Sequence, residues 1–442
     1  MRVLIIDPNG NALDLAMRAL RDGHQVKWFL RPKEANAMLG VGFVDIIYEL
    51  DLWWNWPDII INADNTHYLA TLDKMRERGL PVISCTKETG DWELDRDTGM
   101  EVLRQHDIAT PPSQSFSNYD EAINYVKKED CRFVSKASGD ANKALSYVAK
   151  NPSDLVFMLE RWKSLGTHKG EFILQEFIEG TEMAVGAWVG ANGFTDFWCE
   201  NFEFKKLMNG DMGQATGEQG TVLRYTKKSK LAQQVLAPLE DTLVQAGYTG
   251  YIDVNCIIDE SGHPWPLEFT TRFGWPTTNI QQELHTGDFI GWLHDLTTGA
   301  RNREITLDTV AIGVVLSIPD YPYSHLTKKE VTGIPVYGIT DGLWPHVHPC
   351  EMMLGEAPCP TSQGIKTLPT PVTAGDYVLV MSATGETVLD ARDRVYRRLK
   401  RLIVPNSPMY RTDIGNRLRK QLPLIQAQGY ATGMAFSMPA TS

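Results

Sequence analysis

The chain opens with an apolar run, Val3 to Ile6, inside RVLIID at residues 2 to 7. The turn Pro8-Asn9-Gly10 follows, and then Leu13, Leu15, Ala16 and Leu20 recur at helical spacing. QVKWFL at 25 to 30, DIIIN at 58 to 62 and PVISC at 81 to 85 read as further strands, with a helix near 67 to 78. Strands alternating with helices predict a parallel, doubly wound sheet.

The prolines of ATPPS at 109 to 113 break this pattern, which sets a boundary near residue 112 and a first domain of 1–112. RFVSK at 132 to 136, EFILQEF at 171 to 177 and EMAVGAWVG at 182 to 190 read as strands, with helices around 119 to 128 and 152 to 164 between them. Residues 113–190 are therefore expected to form a small α+β lid. Strands near 196 to 206, 249 to 258 and 264 to 270, with a helix from Lys230 to Ala246, predict a central sheet over 191–300. Beyond it VAIGVVLSI at 310 to 318 and DYVLVMSAT at 376 to 384 predict a β-rich domain over 301–442, with a basic helix from Val388 to Leu402. The expected class is a multidomain α/β and α+β protein.

A chain of 442 residues exceeds one ordinary core, in keeping with that division. The net charge of -12 disfavours non-specific binding to nucleic-acid or membrane phosphates and points to small-molecule chemistry. Six scattered cysteines without a CxxC pair fit a reduced, cytoplasmic setting. The apolar run at the start is too short for a signal-peptide core or a membrane span.

The richest segment is Tyr251 to Gly274, YIDVNCIIDESGHPWPLEFTTRFG. Two apolar strands joined by Asp259-Glu260-Ser261-Gly262 are expected to bring Asp253 and Glu268 side by side as hard oxygen ligands for magnesium. The plain alternative is two acids on the outer face of a hairpin. A second cluster runs from Phe133 to Lys136, through SGDANKAL, to QEFIEGTE at 175 to 182. Here Lys136 can neutralise nucleotide phosphates, Gln175 to Ile178 can offer backbone groups to an adenine edge, and Glu182 can bind ribose hydroxyls. A solvated strand-end lysine is the alternative.

RFVSKASG, LQEFIEGTE, YTGYIDVN followed by LEFTTRFG, and YRTDIGNRL together resemble the ATP-grasp enzymes, and within them phosphoribosylamine–glycine ligase, nearly end to end. The resemblance implies ATP with magnesium or manganese. It assigns Lys136 to the phosphates, Gln175, Glu176, Phe177 and Ile178 to the adenine, and Glu182 to the ribose. Glu268 would ligate the metal, with Thr270 in the place of a family asparagine and Asp253 as a second ligand. Arg272 would stabilise the transferring phosphoryl group, and Lys205 or Lys206 and Arg96 fall near further cationic positions. The implied reaction activates a carboxylate as an acyl phosphate, which an amine attacks. The default pair is glycine and phosphoribosylamine, as in purine biosynthesis, in a monomer or homodimer.

The departures fall in substrate-facing loops. DPNGNALDLA replaces a glycine-rich opening, leaving Asn9, Gly10 and Asn11 as candidate pocket residues beside the plainer reading of a strand-to-helix turn. Trp275-Pro276-Thr277 replaces Asp-Pro-Glu, NADN at 62 to 65 replaces Gly-Pro-Glu, and SGDANKAL is a thinned lid loop. In DMGQATGEQGT at 211 to 221, Asp211 and Gly213 match the family's substrate loop, whereas Glu218 and Gln219 do not. These changes point to another amine or carboxylate, or to a nucleotide-binding protein without turnover. PHVHPC, with His346, His348 and Cys350, reads as a turn or strand surface rather than a zinc site, and no Ser-His-Asp set stands out.

Overall fold

The computed structural model describes residues 1–32, 38–137, 147–167, 170–299, 306–326 and 328–438. The loop SGDANKAL lies outside them. The N-terminal part is a parallel sheet built from β1 (Arg2–Ile6), β2 (Gln25–Phe29), β3 (Ile46–Ile47), β4 (Ile59–Asn62) and β5 (Val82–Ile83), in the order β3-β2-β1-β4-β5. Helix α1 (Leu13–Arg21) follows β1 and buries Leu13, Leu15 and Ala16, and α2 (Leu69–Glu77) follows β4. Two capped helices lead out of the sheet: Thr86 caps α3 (Lys87–Leu94), and the Asp95 carboxylate accepts the Asp97 and Thr98 amides to start α4 (Arg96–Gln105).

A small sheet of β6 (Ser113–Phe116), β7 (Phe133–Ala137), β8 (Tyr147–Val148) and β9 (Phe172–Glu176) packs with α5 (Tyr119–Glu129) and α6 (Pro152–Leu165). Its core, including Phe116, Phe133, Leu155, Trp162 and Phe172, is separate from the main one. The next strand, β10 (Gly180–Gly190), which sequence grouped with this lid, pairs instead inside the large sheet.

That large sheet continues with β11 (Gly193–Glu203), passes through the short hairpin β12 (Lys206–Met208) and β13 (Met212–Ala215), and returns in β14 (Gly220–Thr226). The expected helix from Lys230 to Ala246 is broken by Pro238 into α7 (Lys230–Val235), a short 3-10 turn and α8 (Glu240–Gln245), because proline lacks the amide a helix interior needs. The hairpin β15 (Gly250–Asp259) and β16 (Pro264–Thr270) follows, then α9 (Thr277–Gln281) and α10 (Phe289–Thr298).

The C-terminal strands are not a sheet apart. β17 (Val310–Ser317), β19 (Val347–Pro349) and β22 (Tyr377–Gly385) extend the same eight-stranded sheet, whose order is β16-β15-β10-β11-β14-β17-β22-β19. Only β18 (Thr332–Pro335), β20 (Met352–Thr361) and β21 (Gly364–Ala374) form a separate sheet, while α11 (Lys328–Val331), α12 (Val388–Leu399) and α13 (Leu418–Ala427) complete the fold. Among the described residues no helix is long and apolar enough to cross a membrane, and all six cysteines are free thiols.

Candidate active site

Side chains two apart on a strand share a face, so the register of the large sheet arranges its polar residues in rows. Asn201 on β11, Ala184 on β10, Asn255 on β15 and Glu268 on β16 form one row. Cys199, Gly186, Asp253 and Thr270 form the next row, and Glu203 pairs with Thr221 beyond the first. Ala184 and Gly186 leave the floor of this face low. A Cβ at Gly186 would collide with the Tyr251 hydroxyl and come within 2.7 Å of Asp253 Oδ2.

The register corrects one expectation. Asn255, not Asp253, lies across from Glu268, and Asp253 faces Thr270. An irregularity in pairing just after Asn255 sets this offset, and strand periodicity alone does not distinguish residue 253 from 255. Asp253 is buried and accepts hydrogen bonds from Asn201 Nδ2 at 2.8 Å and the Tyr251 hydroxyl at 3.0 Å. Burial, reinforced by the nearby Glu203 charge, raises its pKa above the usual carboxylate range, to about 7.

Lys205 is the centre of charge. Its Nζ lies 3.1 Å from Glu182 Oε1, 3.1 Å from Glu203 Oε2 and 3.3 Å from Glu268 Oε1. Arg96 Nη2 holds the other oxygen of Glu268 at 2.8 Å, and Asn255 Nδ2 donates to Glu203 Oε2 at 3.0 Å. Burial opposes ionisation of Glu268, yet Lys205, Arg96 and Lys136 keep it well below the ordinary carboxylate range. For Lys205 burial is likewise outweighed, here by Glu203, Glu182 and Glu268, and its pKa stands well above the usual value. Lys136 reaches over from the lid, donating to Gln175 Oε1 at 2.7 Å, and burial together with Arg96 pulls its pKa down to about 7. Arg96 Nη1 and Asn255 Oδ1 are buried atoms with no hydrogen-bond partner.

Other expected site residues lie apart from this cluster. Lys206 opens β12, and its carbonyl accepts Arg411 Nη1 at 3.0 Å. Arg272 pairs with Glu93 at 2.9 Å rather than with the carboxylates around Lys205. In the 175 to 178 segment the Glu176 and Phe177 amides are engaged within the lid, donating to the Pro112 and Arg132 carbonyls at 2.9 Å each, and Ile178 is half-buried. Arg132 stacks on the Phe177 ring at 3.4 Å.

At the opening loop, Asp7 holds the turn that leads into α1. Its Oδ1 accepts the Gly10 amide at 3.0 Å, and its Oδ2 accepts the Ala12 amide at 2.6 Å and Trp28 Nε1 at 3.1 Å. Gly10 takes the left-handed conformation that this turn needs, with φ 82. Asn9 and Asn11 are exposed, and Asn9 Nδ2 reaches Asp64 Oδ1 at 3.5 Å. Asp211 and Gly213 stand on the β12–β13 hairpin, where the fully buried Arg411 clamps Asp211 at 2.8 Å and Asp413 at 2.8 Å. Arg417 also reaches Asp211, at 3.3 Å, and donates to the Glu203 carbonyl.

Sequence reasoning missed Asn201, Glu203 and Asn255. The available signal was parity, since 253 and 255 share one face of their strand, as 201 and 203 do of theirs, and the pairing sets both on the same face of the sheet. Sequence also passed over a Ser-His-Asp row: His348 lies between Asp14 Oδ2 at 2.8 Å and Ser382 Oγ at 2.6 Å. All three are buried, and the Ser382 hydroxyl also donates to Glu283 Oε1 at 2.6 Å, so this row fastens α1, β19 and β22 together. Among the described residues no three His, Cys, Asp or Glu side chains converge as a closed metal site. A magnesium ion held largely by nucleotide phosphates requires only one or two protein oxygens.

Residues 97–278 match the family described as phosphoribosylglycinamide synthetase, ATP-grasp (A) domain. The chain is 24% identical over 446 residues to phosphoribosylamine–glycine ligase of Streptococcus pneumoniae, covering 95% of this chain and 100% of that protein. It is 25% identical over 437 residues to the Pseudomonas aeruginosa protein of the same name, covering 94% and 98%. The crystal structure of phosphoribosylamine–glycine ligase from Thermotoga maritima superposes with a TM-score of 0.72 at 20% identity, covering 94% of this chain and 100% of that one. An L-amino acid ligase from Bacillus licheniformis shares the fold at a TM-score of 0.57 and 14% identity, covering 92% and 98%. Residues 97–278 thus match an ATP-grasp domain, and the chain as a whole resembles phosphoribosylamine–glycine ligase over nearly its full length.

Proposed function

We propose that the chain is an ATP-dependent ligase that joins a carboxylate to an amine through an acyl phosphate. The observation that carries this reading is Lys205, held among Glu182, Glu203 and Glu268 and flanked by Arg96 and Lys136. Such an arrangement suits transfer of a phosphoryl group, whose catalysis is mainly positioning and charge stabilisation. Lys136 and Arg96 would bind phosphate oxygens, Glu182 the ribose, and Gln175 to Ile178 would flank the base. Lys205 would stabilise charge on the transferring group. Glu268 and Asn255 fit a magnesium ion, since one is a hard-oxygen carboxylate at the edge of the face and the other presents a buried Oδ1 with no partner. When bound there, the metal would neutralise phosphate charge. Closing the lid over this face would keep water from the acyl phosphate.

Glycine and phosphoribosylamine, the pair in the relatives' names, are the reference substrates. A specific observation favours a different amine. In the strand-to-helix turn, a usual place for a phosphate cradle, the Gly10 and Ala12 amides are already taken by the Asp7 carboxyl.

The test is ADP release by the purified protein with MgATP, glycine and other amino acids, with and without phosphoribosylamine generated in place, beside Glu268→Ala. Release that requires glycine and phosphoribosylamine together would establish the reference reaction. Release with another pair would keep the ligase and replace its substrates. No release with any pair would leave a nucleotide-binding protein.

A further inference from the structure

Glu218 sits on the connection between β13 and β14, where its backbone has little freedom. The neighbouring Gln219 amide donates to the Phe204 carbonyl at 2.7 Å, and the Gln219 carbonyl accepts the Val315 amide at 3.0 Å. The Glu218 side chain is 5% exposed, and its Oε1 is buried without a hydrogen-bond partner. Two more buried atoms around Glu203 share this condition: Asn201 Oδ1, two residues before it on β11, and Thr221 Oγ1, paired across from it. Leaving a buried acceptor unsatisfied costs about 1–3 kcal/mol. All three atoms accept hydrogen bonds, and the cation beside them, Lys205, is already shared by Glu182, Glu203 and Glu268.

Among the described residues no side chain donates to any of these three atoms. An anion is disfavoured by Glu203 and Asp253, whose charges bear on Glu218. A protein-built metal site is also unsupported, since among the described residues no three acidic, histidine or cysteine side chains are grouped so as to hold a metal ion. A primary ammonium has three N–H groups and one positive charge, which answers both the three acceptors and the acidic surroundings.

Resting on the ligase reading above, we propose that Glu218, with Thr221 and Asn201, binds the ammonium group of an amino acid that serves as the carboxylate substrate. The two ends of that molecule then meet opposite charges. Its carboxylate lies toward Lys205 and Arg96, where phosphoryl transfer takes place, and its ammonium toward Glu218. Burial first, and Glu203 second, push the Glu218 carboxyl well above its ordinary range, and an arriving ammonium compensates both.

The experiment measures binding rather than turnover. The full chain, loaded with magnesium and the non-hydrolysable β,γ-methylene analogue of ATP, is titrated with each of the twenty free amino acids. The strongest binder is then compared with its des-amino and trimethylammonium counterparts. The proposal predicts that both counterparts bind about tenfold more weakly or worse. It also predicts that Glu218→Gln weakens the amino acid by a similar factor while leaving the ATP analogue and the des-amino acid unchanged. Thr221→Val, which keeps the side-chain shape, should weaken the amino acid in the same selective way and serves if Glu218→Gln does not fold. Equal binding of the amino acid and its des-amino counterpart, an undiminished variant, or no binding by any amino acid would overturn it. Selective amino-acid binding without ADP release in any amine screen would instead count against the ligase reading alone.

Discussion

Arg96 Nη2 meets Glu268 Oε2 at 2.8 Å, although 172 positions separate them in sequence. The contact ties the first residue of α4 to the last strand of the hairpin and sets one carboxylate between two cations, Arg96 and Lys205. Removing that carboxylate as Glu268→Ala leaves the cations facing each other and removes the proposed metal oxygen. The expected outcome is a loss of about 10²–10³ in the rate of substrate-dependent ADP release, read by a coupled ADP assay. Because the Glu268 pKa is depressed in the fold, its ionised form persists as pH falls through the range where a free glutamate protonates. Its contribution to stability is fully present above that range and is lost progressively as pH falls through it toward the depressed folded value.

Lys136 gives a pH signature of nucleotide binding. With its pKa near 7 in the ligand-free protein, it is largely neutral at about pH 8, whereas bound phosphates favour the charged ammonium. ATP binding at about pH 8 should therefore take up a proton, and affinity should fall as pH rises from about 7 to 9. Titration calorimetry in buffers of different ionisation heat detects the uptake, and Lys136→Met should abolish it.

Gly186 tests whether the low floor of the sheet matters. In Gly186→Ala the new methyl group meets the Tyr251 hydroxyl and Asp253 Oδ2. The expected destabilisation is about 1–3 kcal/mol in chemical denaturation, with ADP release lowered more than the stability change explains, because Asp253 is displaced.

Arg411 binds the C-terminal segment to the hairpin carrying Asp211. Arg411→Ala removes a buried cation from Asp413 and Asp211, and since Asp211 is partly solvated the expected cost is about 3 kcal/mol or less in denaturant unfolding. Arg411→Lys should recover only part of it, because a lysine cannot reproduce the two-pronged bond to Asp413.

Much of this architecture can be read from local pattern. The alternation of apolar runs and helical periods reports the parallel sheet, and the turn Asp259 to Gly262 reports the β15–β16 hairpin. Long-range pairing cannot be read that way: nothing in VAIGVVLSI or DYVLVMSAT reveals that β17 and β22 join the sheet that carries Asp253. The same limit affected the site. Lys136, Glu182 and Glu268 announce themselves by motif, whereas sequence leaves Lys205 and Lys206 as alternatives, and the partner facing Glu268 depends on a pairing irregularity after Asn255 that leaves no mark in hydropathy. Glu218 was passed over because it departs from the family motif, and only its burial without a partner draws notice.

The central claim is an acyl phosphate, and oxygen transfer tests it most directly. The protein is supplied with MgATP, the amine and carboxylate that support ADP release, and 18O in both oxygens of that carboxylate. The account predicts one 18O in each inorganic phosphate released, with labelled phosphate formed about 10²–10³ times more slowly when Glu268→Ala replaces the wild type. Amide and ADP formed with unlabelled phosphate, or no carboxylate- and amine-dependent ADP release at all, would contradict it.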